Sequence, residues 1–446
     1  MSSLSPEITS IFTGPVFTPG DPGYAPEITG MNLAPRRTPE LVVGATGAGD
    51  IAHAVRYARE RGLSVSVIGG GHGAASIATG LTITTRRMDG VRIDPEQRTA
   101  TFDAGVLWKP VMEAASAHGL LPIAGSLSAV GAAGYLLGGG TSPLARSHGY
   151  SSDYVESMTV VTGAGEIVTA SSSSNPELFW ALRGGKSGLG IVTEITLRLV
   201  ELRQVYGGAL TFSEDQMDEA FRGWIDWTRT ADDRVTTSFA TISFPDMDGM
   251  PPPFRGKRIS FLRFAYPGDP ERGAELAVPL RALAPALHDD IGPLPTDQLD
   301  RIHNDPTTPL SAWEVGGQLR VLDDAFADVW LAHFGAGKQP PLQVFELRHG
   351  GAAQHQAPSG GDAVANRAAH FTMNTICIAP DLFAEVAPAY ARNLLDAIGV
   401  WTLPVANVNF IGNNPFATPW DSATLAKLDA VRTSVDPNGI FASAIR

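Results

Sequence analysis

Ser64-Val65-Ser66-Val67-Ile68 alternates as a short strand does, and it runs straight into Gly69-Gly70-Gly71-His72-Gly73. Glycine has no Cβ, so a glycine run after a strand lets consecutive backbone N–H groups converge on an anion. His72 interrupts the run where its ring would project onto whatever those amides hold. Most loop histidines are solvated or structural; the glycine turn before this one sets it apart. Gly138-Gly139-Gly140 and Gly184-Gly185-Lys186-Ser187-Gly188 repeat the pattern. Any one cluster reads equally well as turn glycines. Three in one region predict a long, phosphate-bearing ligand gripped along its length.

Two familiar phosphate motifs do not fit. The dinucleotide fingerprint opens a helix, and Ala74-Ala75-Ser76-Ile77-Ala78 gives no helical start. Gly185-Lys186-Ser187 resembles the end of a P-loop, but Trp180 stands where the first glycine belongs.

Outward from this loop, residues 50–62 carry a helical stripe of Ile51, Val55 and Ala58, with Asp50 read as its N-cap and Gly62 as its stop. Short strands are predicted at 81–84, 99–103, 156–162 and 190–199, with a helix over 107–118. This mixture marks an α+β unit over residues 1–203. Residues 204–401 change character. Strands are predicted at 205–212, 235–244, 257–266, 342–348 and 371–378, and helices at 214–229, 270–287, 323–334 and 381–398. That set suits an antiparallel sheet covered by helices on one face. Pro-rich loops at 245–253 and 293–309 are placed at the rim of a cleft. The last segment, 402–446, has a helix at 422–434.

Composition narrows the function classes. The chain has 446 residues, 43% hydrophobic and 18% charged, enough for two cores. A formal net charge of −13 argues against nucleic acid and anionic membrane surfaces. No apolar run approaches the roughly 20 residues of a membrane span. Residues 1–38 lack the pattern of a signal peptide. Cys377 is the single cysteine, which excludes an intrachain disulfide and gives no thiolate metal cluster. These features point to a cytoplasmic enzyme or binding protein with a small-molecule ligand and no metal.

The ordered series of motifs over residues 39–202 resembles the FAD-binding (PCMH-type) domain of the vanillyl-alcohol-oxidase family, nearest its berberine-bridge-enzyme-like branch. The resemblance is carried by Ile68 to Gly73, Gly125-Ser126-Leu127-Ser128-Ala129-Val130-Gly131, Gly134 to Gly140, His148 to Asp153, Glu177 to Gly185, and Gly188-Leu189-Gly190-Ile191-Val192-Thr193. Asn407-Val408-Asn409-Phe410 and Asp436 to Phe441 resemble the family's closing segment, which returns to that domain. The resemblance implies a two-part FAD-binding domain, with 402–446 completing 1–203, and a substrate domain over 204–401. It implies FAD held by Ile68, Gly69, Gly70, Gly71, His72, Gly73, Gly125, Ser126, Val130, Gly131, Gly134, Gly138, Gly139, Asp153, Gly188, Gly190, Ile191, Val192, Asn407 and Asn409. It further implies a covalent bond from His72 to the 8α-carbon of the flavin. Leu127 stands where doubly tethered members carry a cysteine, so the expectation is one tether only.

In the substrate half, Phe345-Glu346-Leu347-Arg348-His349-Gly350-Gly351-Ala352 resembles the family strand that faces the flavin. Alternation puts Glu346 and Arg348 on one face. Glu346 is then the candidate base and Arg348 its neighbour, with His349 and next His370 as further candidates. A structural ion pair is the competing reading. The implied reaction is hydride transfer from an alcohol, sugar or natural-product carbon to flavin, with O₂ as acceptor. A dehydrogenase using another acceptor, or a fold that binds FAD without turnover, are the alternatives; aerobic H₂O₂ formation and flavin bleaching separate them.

Overall fold

The computed structural model describes residues 10–73, 79–248 and 252–441. The missing helix read over 74–78 lies outside the described residues, as do 1–9, 249–251 in the first Pro-rich loop, and 442–446.

Leu41–Gly44 and Val65–Ile68 run parallel to Leu81–Thr84, which lies between them. Parallel pairing needs a crossover, and the helix Ala48–Arg61 supplies it. Every residue of Leu41–Gly44 and Leu81–Thr84 is buried, as parallel strands covered on both faces are. Ile51, Ala54, Val55 and Ala58 form the buried helix stripe, and Gly62 closes the helix in the left-handed region at φ 65°. Asp50 is not the N-cap, because the helix begins at Ala48 after Gly47. From the first turn its carboxylate accepts the N–H groups of Thr46 (2.9 Å), Thr13 (2.7 Å) and Gly14 (3.1 Å), pinning the N-terminal arm. A second, antiparallel sheet orders Val91–Asp94, Thr99–Asp103, Ile191–Arg198, Val155–Val161 and Ile167–Ser171.

The second half is built on an eight-stranded antiparallel sheet. Its strands run His288–Asp289, Gln204–Ser213, Arg258–Tyr266, Thr236–Ser243, Val344–His349, Phe371–Cys377 and Trp313–Leu319, with Gly292–Pro295 also on Gln204–Ser213. The α+β class and the antiparallel, helix-covered sheet agree with the sequence reading. Helices Glu214–Thr228, Asp324–Phe334 and Val386–Ala397 cover one face, where Phe221, Trp224, Phe239, Trp330 and Phe345 form the core. Full burial of each such side chain contributes roughly 1.5–3 kcal/mol. Trp313–Leu319 is a strand the sequence reading did not find. Its Gly316-Gly317 pair breaks the apolar alternation, and a Cβ on Gly316 would stand 2.2 Å from the Phe410 carbonyl oxygen. Among the described residues no helix is long and apolar enough to cross a membrane.

The tail crosses back over the molecule. The 407–414 segment lies along the edge of Trp313–Leu319, with Gly316 N–H on the Ile411 carbonyl (3.2 Å) and Asn413 N–H on that of Glu314 (2.9 Å). Leu428, Val431 and Val435 of the helix Ser422–Val435 then enter the core of the first half beside Leu182 and Leu189. Val65 N–H ends the path on the Ile440 carbonyl at 2.7 Å. A chain ended at Val400 removes Trp420, Leu428, Val431 and Val435, each worth roughly 1.5–3 kcal/mol, from a fold whose total is typically 5–15 kcal/mol. It should therefore show no cooperative thermal transition by circular dichroism. A melt within a few degrees of the full chain's would refute the tail's part in that core.

Candidate functional site

Met31 N–H bonds the Gly70 carbonyl (3.1 Å) and Asn32 N–H that of Gly71 (3.0 Å), so the arm holds the glycine loop by its carbonyls. The amides of Gly69, Gly70, Gly71 and Gly73 have no acceptor among the described residues. Backbones crowd this loop closely. A Cβ on Gly71, whose φ is +65°, would stand 2.5 Å from the Gly30 Cα, and one on Gly70 would meet the Gly131 nitrogen at 3.4 Å. Glycine is required at Gly71 by both conformation and space. Gly69, Gly70 and Gly71 are half-buried and Gly73 is exposed, so a glycine-walled run of amides without internal acceptors is open to an anion such as a pyrophosphate.

The other two clusters are different. Gly138 and Gly139 donate to the Tyr135 and Leu136 carbonyls, while the Gly139 and Gly140 carbonyls accept from Ser152 and Ser151. Gly138 is packed against the Asn409 side chain. Gly184 and Lys186 both donate to the Leu137 carbonyl, and Gly185 to that of Ala181. Gly138, Gly139, Gly184, Gly185 and Lys186 thus spend their amides internally, whereas those of Gly140, Ser187 and Gly188 have no acceptor among the described residues. Asp153 is likewise engaged: it accepts the Tyr150 N–H at 2.8 Å and pairs with Arg367, which also binds Asp362. Ile68, Ile191 and Val192 are buried, and Gly190 packs on Val160 and Val161. Gly125 lies under the Tyr135 ring, and Asn407 turns its Oδ1 to the Asn409 N–H (2.9 Å). Val130 bonds the Trp108 N–H (3.1 Å), and Gly188 packs against Arg432. Gly70 meets Gly131, and the Lys186 side chain joins Gly134 to Asn409.

His72 stands at the end of the loop as an exposed residue. Desolvation of its ring lowers its pKa; Asp305 opposes that shift and Lys186 adds to it. Lys186 was quoted in the sequence only as part of a glycine cluster. It sits at φ +60°, and its ammonium donates to the Gly134 carbonyl and to Asn409 Oδ1, both at 2.6 Å. Burial brings its pKa down to about 8, with Glu314 acting the other way. Burial pushes the Glu314 carboxyl up to about 7, Lys186 pulling it down. The sequence reading missed Glu314 because it missed its strand.

Glu346 and Arg348 do share the face turned away from the covering helices. Arg263 (2.6 Å) and Ser238 (2.7 Å) donate to Glu346 Oε1, and Arg348 Nε donates to Oε2 at 2.7 Å. Arg348 continues to Ser126 (3.4 Å), and Ser126 to Asp305 (3.4 Å), so the chain of bonds links the sheet to the first half. Burial alone would raise the Glu346 carboxyl, but Arg348 and Arg263, with His303, hold it well below the usual carboxylate range. A carboxylate held this way is a weak proton acceptor, and the geometry favours the ion-pair reading over the base. His349 is on the opposite face: strand alternation turns it to the helix side, stacked on Phe371 at 5.2 Å and accepting from Arg146 at 3.1 Å. That removes His349 from the cleft. His370 pairs edge-on with His355.

Residues 39–171 match the FAD binding domain family. The chain is 31% identical over 234 residues to the uncharacterized FAD-linked oxidoreductase YgaK of Bacillus subtilis strain 168, covering 51% of this chain and 52% of that protein. It is 34% identical over 204 residues to (R)-6-hydroxynicotine oxidase of Paenarthrobacter nicotinovorans, covering 45% and 44%. The chain thus spans about half the length of the curated relatives it matches. Among solved structures it is similar in fold to Physcomitrella patens BBE-like 1, with a TM-score of 0.84 and 20% identity over 99% of this chain and 98% of that one. The carbohydrate oxidase of Microdochium nivale gives a TM-score of 0.80 at 19% identity over 98% and 97%.

Replacing Glu346 by Gln leaves Arg263 and Arg348 buried with one neutral acceptor. Breaking a buried ion pair from one side typically costs about 3–5 kcal/mol. Because the folded carboxyl's pKa is depressed, its contribution is full above the ordinary carboxylate pKa and fades as pH falls below it. Glu346→Gln should therefore lower stability to urea by that amount at neutral pH, and the gap to wild type should close towards pH ~3. An unchanged urea midpoint would refute the ion pair's structural role.

Proposed function

We propose that the chain is an FAD-dependent oxidoreductase of the vanillyl-alcohol-oxidase type, with FAD tethered through His72. The observation that carries this reading is the set of unpaired glycine amides at Gly69 to Gly73, ending in an accessible His72, inside the matching FAD binding domain. The amides of Gly69, Gly70, Gly71 and Gly73 would take the pyrophosphate. The lowered pKa of His72 keeps its imidazole neutral at pH 7, the form in which a ring nitrogen is a nucleophile. Ser126, Gly131, Gly134 and Asn409 would line the rest of the cofactor's path. Bound FAD would supply the acceptor for a hydride from a small-molecule substrate, with O₂ taking the electrons onward.

A single tether fits the positions of the other candidates. Leu127 is buried and cannot bond a flavin ring. Cys377 is fully buried on the helix face of the sheet, its Sγ against the Ala379 carbonyl (3.6 Å). Lys186 and Arg348 place positive charge around the cleft, and Asp305 and Glu314 negative charge.

Acid-precipitated protein should stay yellow, and the in-gel fluorescence of the denatured chain should coincide with its protein band. His72→Ala should leave the colour in the supernatant, with most FAD still bound before denaturation, since the amides remain. Wild-type protein that loses all its flavin on denaturation would rule out the tether. An apoprotein that takes up no FAD at all would rule out the larger reading. H₂O₂ formed mole for mole with substrate consumed in air would support O₂ as the acceptor.

A further inference from the structure

Across four paired strands, Glu314, Ile376, Val344 and Ile242 stand in one row. All four are half-exposed, whereas Val315, Cys377, Phe345 and Thr241, their neighbours along the strands, are buried on the helix side. Strand alternation therefore puts the row on the same face as Glu346 and Arg348. Phe261, also half-exposed, stands opposite Ala240 one step along that face. With Phe254 (6.4 Å) and Phe244 (5.1 Å from Phe254) it closes the far end of an apolar strip.

Glu314 lies at the near end. Its carboxyl has no hydrogen-bond or ion-pair partner among the described residues, in contrast to Glu346. The charged group acting on it is Lys186, whose ammonium is already bonded to Gly134 and Asn409. Arg348, on the same face as Val344, reaches Ser126 of the first half at 3.4 Å, so the row lies on the side of the sheet turned to that half. A second polar atom points the same way. Asn374, in the row next to Ile376 and paired with Glu346, has a buried Oδ1 with no partner.

An aliphatic strip between an aromatic end and a lone carboxylate selects for a particular chemistry. Apolar area removed from water gains roughly 25 cal/mol per Å². Ile376, Val344 and Ile242 offer the hydroxyls of a sugar no hydrogen-bond partner. The unpaired carboxylate calls for a cation. We propose that the substrate is an amine carried on an apolar, ring-sized body, with its ammonium against Glu314 and its body across Ile376 and Val344. This rests on the flavoenzyme reading and names what that enzyme's cleft takes. Asn374 Oδ1 accepts a hydrogen bond from a donor on the same ligand.

The test is calorimetric binding to the purified flavin-bearing protein, using benzylamine, benzyl alcohol and xylobiose as probes. Glu314 ionises near pH 7 and benzylamine stays protonated above that, so benzylamine should bind about tenfold tighter at pH ~8 than at pH ~6. Glu314→Gln should weaken benzylamine about tenfold or more, abolish the pH dependence, and leave benzyl alcohol unchanged. Val344→Asn should weaken both aromatic probes and leave Glu314's pH dependence in place. Xylobiose binding more tightly than benzylamine, or benzylamine binding that ignores Glu314→Gln, would overturn the proposal. Flavin absorbance of the same samples separates the two readings. Colourless protein that binds benzylamine in this pattern refutes the cofactor and not the substrate class. Yellow protein indifferent to Glu314→Gln does the reverse.

Discussion

Burying the Glu346 carboxylate is unfavourable by several kcal/mol unless charge and hydrogen bonds offset it. Here Arg348 approaches it from its own strand and Arg263 from the next strand but one, and Ser238 of the strand between donates to Oε1 as well. The arrangement works only if the eight-stranded sheet keeps its register, since Ser238 stands opposite both Arg348 and Arg263. Arg348 then reaches Ser126 across the seam, and Arg263 reaches Asp305 at 3.6 Å. The same carboxylate thus fixes the position of the sheet against the glycine-rich half. The cleft lies along that seam.

The second constraint is steric. Gly30 and Gly71 meet backbone to backbone at a distance that leaves no room for a Cβ, and Gly70 lies in van der Waals contact with Gly131. The loop's carbonyls bond the arm, so its amides face the other way, towards the cleft. Direction follows from which half of each peptide unit the protein itself uses. In the 138–140 cluster the Gly138 and Gly139 amides and the Gly139 and Gly140 carbonyls are used internally. Equal glycine content therefore gives two different outcomes.

The tail packs beside two charged groups, Lys186 and Glu314. Because 407–414 lies against the edge of Trp313–Leu319, Asn409 meets Lys186 from the glycine-rich half near Glu314 of the sheet. Three segments far apart in sequence share one small, partly desolvated space. That desolvation moves the two ionisations towards each other, to about 8 and about 7. Glu346 and Glu314 are two carboxylates on one face with opposite fates. One is locked by two guanidiniums and the other is left without a partner.

The local pattern of the chain determined most of the fold. Period-two alternation gave the strands Leu81–Thr84 and Thr99–Asp103 to the residue, and the Ile51-Val55-Ala58 stripe gave its helix with Gly62 as the stop. These signals are legible because they arise from contacts between near neighbours in sequence. The 69–73 loop was legible too, since a strand followed by glycines and a histidine is itself a local feature. Trp313–Leu319 was not, because its Gly316-Gly317 is shaped by the distant Phe410 backbone rather than by its own alternation. Glu314 was lost with it. Alternation also told that Glu346 and Arg348 share a face, but not that Arg263 would reach the same carboxylate from another strand. Nor could it tell which glycine clusters would keep their amides free, because that depends on carbonyls such as Leu137's being brought within reach. Proton affinity and hydrogen-bond vacancy are properties of a surrounding volume, and only tertiary structure decides what fills it.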